Sequence, residues 1–119
     1  MSEERTTVEL GRLGETIAAA YLELQGYVVR GRNVRRGRRE IDLVVTRGDL
    51  TCFIEVRLRR RSRYGTAVET IGRQKRERVF RAATEMPPRG GGSRFDVIAI
   101  DWRPDGGLVL THLVDAIRA

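Results

Sequence analysis

Residues 40–57 run Glu40-Ile41-Asp42-Leu43-Val44-Val45-Thr46-Arg47-Gly48-Asp49-Leu50-Thr51-Cys52-Phe53-Ile54-Glu55-Val56-Arg57, and the fold is decided here. Two apolar, β-branched runs flank Gly48-Asp49, a pair suited to a two-residue hairpin turn. With that turn Arg47 faces Leu50, and counting back sets Asp42 opposite Glu55 and Glu40 opposite Arg57. Side chains alternate along a strand, so these four share one face, while Ile41, Leu43, Val45, Cys52, Ile54 and Val56 share the other. The second face is uniformly apolar and is the expected core side. A slip of one residue would bury the charges instead, so turn and pattern fix the same register.

Working outward, Val8 to Gln25 has Leu10, Leu13, Ile17, Ala20, Tyr21 and Leu24 at helical spacing. Thr6 and Glu9 form a capping-box pattern and Gly26 is placed to end the helix. A short strand, Tyr27 to Arg30, leads into the basic stretch Gly31 to Arg39. On the other side, Val68 to Glu85 reads as a second helix, stopped by Pro87-Pro88. Arg94 to Trp102 and Leu108 to Leu113 read as strands around the turn at Pro104-Asp105-Gly106-Gly107, and Val114 to Arg118 as a short terminal helix. The order α-β-β-β-α-β-β predicts an α/β fold, with a central mixed β-sheet flanked by helices in a single small domain over 1–119.

Composition narrows the function classes. The chain carries 23 Lys and Arg against 16 Asp and Glu, a formal net charge of +7. All the basic residues except Lys75 are Arg, and they cluster at 30–39 and 57–63. Such a field favours polyanions, and guanidinium binds phosphate in a two-pronged geometry. Arg36, Arg38, Arg39, Arg59, Arg60, Arg61 and Lys75 are the candidate nucleic-acid contacts, DNA being the expected partner. The bland alternative is charge kept for solubility. No apolar run approaches the ~20 residues that cross a bilayer, no apolar leader opens the chain, and the lone Cys52 has no partner for a disulfide. A cytoplasmic protein with no membrane partner is expected.

Two carboxylates facing each other across strands repel at roughly 5 Å between Cβ atoms. A divalent cation would offset this, and convergent carboxylates with carbonyls and water are the oxygen ligands that Mg²⁺ takes. An ion network would do so equally, with Arg57 on Glu40 and Arg38 on Asp42. From the residues alone the two readings stand level.

Asp42 followed by Glu55-Val56-Arg57 resembles the PD-(D/E)XK nuclease signature, an Asp at one strand end and Glu-x-Lys on the next. More closely, the chain is similar to the YraN family. The matching stretches are Gly11-Arg12-Leu13-Gly14-Glu15, Tyr21-Leu22, Gly26-Tyr27, Arg32-Asn33, Glu40-Ile41-Asp42-Leu43, Phe53-Ile54-Glu55-Val56-Arg57, Lys75 and Arg94-Phe95-Asp96-Val97. The resemblance implies a restriction endonuclease-like or Holliday-junction resolvase-like fold and a metal-dependent endonuclease. Asp42, Glu55 and the Val56 carbonyl would hold Mg²⁺ or Mn²⁺, with Glu15 as a further acid of the site. Resolvase-like enzymes act on symmetric junctions, so a homodimer is a further expectation. The chain departs from the pattern at Arg57, where the family usually has Lys. Arg stays protonated at any working pH, so it can hold a phosphate or orient water but cannot serve as a base. The alternative is therefore a nucleic-acid-binding module that does not cleave, and a third reading is an interaction protein with an acidic partner. His112, Asp96 and Cys52 read as structural residues.

Overall fold

The expected hairpin forms the middle of the computed structural model, which describes residues 7–36, 38–60 and 92–116. Helix α1 spans Thr7–Leu24, followed by strands β1 (Val28–Arg36), β2 (Arg39–Arg47), β3 (Leu50–Arg60), β4 (Gly92–Trp102) and β5 (Leu108–Leu113). The strands lie in sequence order in one sheet. All neighbours are antiparallel except β3 and β4, which pair in parallel from Leu50↔Gly92 to Arg60↔Trp102. Among the described residues this is an α/β fold with a five-stranded mixed sheet and one helix. The expected second helix, Val68 to Glu85, lies outside the described residues. No described helix is long and apolar enough to cross a membrane.

Two strands exceed their expected lengths. β1 continues to Arg36 and β3 to Arg60, so most of the arginines read as belonging to connections stand in paired strands. The Val114–Arg118 helix is corrected over its described part: Val114 to Ala116 is a turn. Asp115 takes φ 55, which no right-handed helix accommodates, and the Ala116 amide donates to the Phe95 carbonyl at 2.8 Å.

Helix α1 ends as its Gly26 foretells. Gly26 adopts φ 92, its amide donates to Glu23 and that of Tyr27 to Leu22, which is the two-bond closure of a Schellman motif. The buried stripe differs from the expected one. Ala18, Ala19 and Leu22 are buried, whereas Ala20 is exposed and Leu24 is 85% exposed. The reason lies at Gly14, where a Cβ would stand 3.1 Å from the Leu58 Cβ and 3.5 Å from Val56 Cγ1. At Gly14 the helix approaches β3 so closely that a larger residue would crowd Leu58, and Ala18, Ala19 and Leu22 carry the buried contact beyond it.

Leu43, Val45, Cys52 and Ile54 pack with Ala18, Ala19, Leu22, Tyr27, Ile98 and Ile100 beneath α1. Phe53, alternating with Cys52 and Ile54, lies on the opposite face, in a second cluster with Phe95, Val97 and Ala116. Ile41 belongs to that second cluster. It does not share the core face of Leu43, as simple alternation predicts, so β2 changes the side it presents at Asp42.

Candidate functional site

The β2–β3 ladder follows the expected register over five pairs, Arg47↔Leu50 to Leu43↔Ile54, and stops there. The next two expected oppositions, Asp42 with Glu55 and Glu40 with Arg57, are not part of the ladder. Instead the Val56 amide donates to Oδ2 of Asp42 at 2.8 Å. In an unbroken ladder that amide would go to the Ile41 carbonyl. The carboxylate has taken the place of a main-chain acceptor, and β2 parts from β3 at this residue. A residue's N–H and C=O point to the same side of a strand, so the Val56 carbonyl also faces the gap.

Glu55 is 4% exposed and lies beside Val97 on β4. Arg57 follows on the same face, half-buried, and its Nε has no hydrogen-bond partner. Glu55 is therefore withdrawn from solvent beside Val97, whereas Glu40 is exposed.

Glu15 begins one residue after Gly14, so the close approach of α1 to Val56 and Leu58 sets it near this end of β3. Its Oε1 accepts a hydrogen bond from Asn33 Nδ2 at 3.0 Å. Asn33 lies on β1 between Arg32↔Leu43 and Val34↔Ile41, level with Asp42, and takes φ 51. Asparagine tolerates that left-handed conformation better than most side chains. Glu15 is thus bonded to Asn33, and Asp42, level with Asn33 on the next strand, to Val56. Asn33 had no role in the residue-by-residue reading; an Asn amid arginines in a strand was the signal to weigh.

Because β2 runs antiparallel to β3, the start of β2 and the end of β3 lie at one end of the sheet. Arg38 is exposed and Arg59 half-buried at that end, where Arg36, Arg39 and Arg60 lie in their strands. Arg61 and Lys75 lie outside the described residues. For a metal, no group of three or more His, Cys, Asp and Glu among the described residues is arranged to hold one. Two carboxylates and a carbonyl are nonetheless an all-oxygen donor set. Mg²⁺ is commonly held by one or two carboxylates with water and substrate phosphate completing its shell, so the residues fit that ion and not a closed zinc site.

A second polar cluster, centred on Asp96 of β4 level with Ile54 of β3, serves structure. Asp96 is fully buried and accepts from Arg94 Nε and Nη2, both at 2.8 Å, and from the Asp115 amide at 2.9 Å. His112 Nε2 lies 2.7 Å from it, and the Tyr21 hydroxyl 3.0 Å from His112 Nδ1. With its proton on Nε2, His112 donates to Asp96 and accepts from Tyr21. Arg94 also donates to the Tyr27 hydroxyl at 2.7 Å. Burial alone would raise the Asp96 carboxyl; the bonds from His112, Arg94 and Asp115 outweigh it and hold it down at about 2. Cys52 is buried, and desolvation pushes its thiol up to about 11, which leaves it unreactive.

Residues 14–100 match the model of a family described as "Uncharacterised protein family UPF0102". A UPF0102 protein of Anaeromyxobacter sp. (strain Fw109-5) is 42% identical over 106 residues, covering 86% of this chain and 80% of that protein. Another, from Halorhodospira halophila, is 46% identical over 92 residues, 76% of each chain. A third, from Symbiobacterium thermophilum, is 38% identical over 114 residues, 92% of this chain and 97% of its own length.

Proposed function

The chain belongs to the UPF0102 family, and we propose that it is a PD-(D/E)XK-type metal-dependent endonuclease acting on DNA phosphodiesters, branched DNA included. The observation that carries this reading is the parting of β2 from β3 at Asp42, with the carboxylate on the Val56 amide and Glu55 next in the chain. A surface ion network needs no break in a sheet. A site that must admit a phosphate does.

Asp42, fixed by the Val56 amide, and Glu55, held between buried neighbours, would hold Mg²⁺ or Mn²⁺ together with the Val56 carbonyl. A bound divalent ion supplies Lewis-acid polarisation of the phosphate and activates water for attack on phosphorus. Arg57 orients the phosphate and stabilises the charge that grows on it, since its guanidinium is a permanent donor. Glu15 positions Asn33 behind Asp42.

Arg57 also favours the second reading, a DNA-binding module without cleavage, because no side chain at this position can accept a proton. A cleavage assay with Mn²⁺ on duplex, single-stranded and four-way-junction DNA separates the two. The natural protein is expected to cut and Glu55→Ala to be inactive. Activity confined to Arg57→Lys identifies a binder that has lost the chemistry. Calorimetry finding no Mg²⁺ or Mn²⁺ binding, unchanged by Asp42→Ala, sinks the nuclease reading.

A further inference from the structure

β1 and β2 stay paired beyond the point where β3 is left behind. Their ladder runs on through Val34↔Ile41 and Arg35↔Glu40 to Arg36↔Arg39, whereas β2–β3 pairing ends at Leu43↔Ile54. Among the described residues the outer hairpin thus continues as a two-stranded ladder past the last β2–β3 pair. Its seat is firm: Ile41 is fully buried with Phe53, Phe95 and Val97, and Asn33 is tied to Glu15 on α1. Arg35 and Arg38 are exposed on this ribbon and Arg32 at its base, with Glu40 the exposed acid among them.

We propose that this ribbon is an arm that lies in the major groove of duplex DNA, carrying Arg32, Arg35 and Arg38 to the phosphates that line it. The inference rests on nucleic acid being the partner, as above, and deepens it by naming the form. A two-stranded β-ribbon fits the B-form major groove, about 12 Å wide. The A-form major groove is too narrow for side chains to read, which disfavours double-stranded RNA. Single strands are held by stacking bases on aromatic rings, and no aromatic residue occurs between Tyr27 and Phe53. Duplex DNA is what remains.

The test uses the full chain in EDTA, so that binding is read without cleavage. Anisotropy is measured on a labelled DNA duplex, the same sequence as duplex RNA and one DNA strand, from 50 to 200 mM salt. The duplex DNA is expected to bind tightest, with affinity falling steeply as salt rises. Replacing Arg32, Arg35 and Arg38 together by Gln, all exposed and compatible with the fold by circular dichroism, is expected to flatten the log–log salt slope by about 3, roughly 0.9 per phosphate contact. Guanine N7, which opens into the major groove, is expected to be shielded from methylation by the natural protein and not by the triple variant. An unchanged slope, equal affinity for duplex RNA, or binding that leaves N7 reactive overturns the arm. Cleavage failing while slope and shielding hold as expected fails the nuclease reading and leaves the arm standing; cleavage by a protein whose slope ignores the triple variant does the reverse.

Discussion

Asp42 and Asp96 are both acids on strands of one sheet, and the sheet treats them in opposite ways. Asp96 sits where β4 is paired to β3, one residue before its ladder with β5 begins at Val97↔Leu113. Arg94, His112 and the Asp115 amide converge on it, so the charge is answered and the strands are locked. Asp42 sits where pairing fails, and its carboxylate does the work of a missing ladder bond. A carboxylate met by a guanidinium, an imidazole and an amide together serves cohesion; one that replaces a main-chain acceptor opens the sheet beside it. The two acids divide stability and chemistry between them.

This contrast is sharpest in stability. Asp96→Ala strips the half-buried Arg94 and His112 of their shared partner and is expected to cost about 3 kcal/mol in urea unfolding. A loss below about 1 kcal/mol would mean that the cluster locks nothing. Next in size is the response to acid. The Asp96 carboxyl is held at about 2 against an ordinary 3.8, so its stabilisation is present in full above about pH 4 and is lost as pH falls toward 2. That loss amounts to about 2 kcal/mol, and comparison of the natural protein with Asp96→Asn across that window isolates it. Asp42→Ala leaves the Val56 amide without this acceptor and is expected to cost about 1–2 kcal/mol while abolishing metal binding. If it destabilises as much as Asp96→Ala, the division between the two acids is wrong. Smallest is Glu15→Gln, which keeps an acceptor for Asn33; its Tm is expected to move by the equivalent of about 0.5 kcal/mol or less, and any loss of cleavage beyond that assigns Glu15 to the chemistry.

Much of this was legible in the residues. Gly48-Asp49 and the alternation around it gave the correct pairing from Arg47↔Leu50 to Leu43↔Ile54, and Gly14 and Gly26 announced a close helix contact and a helix end. The parting at Asp42 was not legible, because a periodic pattern continues on paper after the hydrogen bonds have been diverted to a side chain. For the same reason Ile41 was assigned to the wrong cluster. The lock around Asp96 escaped because its members come from α1, β4, β5 and the final turn, and only the fold brings them together. Arg94 and Asp96, two apart on one strand, with a lone His on a neighbouring strand, were the available hint.

The parallel pairing of β3 with β4 has a kinetic consequence. Strands β1 to β3 follow one another through short turns, so their contacts close small loops; β4 must find β3 across residues 61–91, a slower search. The half that carries Asp42 and Glu55 therefore has the means to form early, and the cluster around Asp96 closes only when β4 and β5 arrive. Substitutions at Ile54 or Val45 are expected to slow folding, and those at His112 chiefly to speed unfolding. The strands proposed to do chemistry are assembled first, and the cluster that secures them comes last.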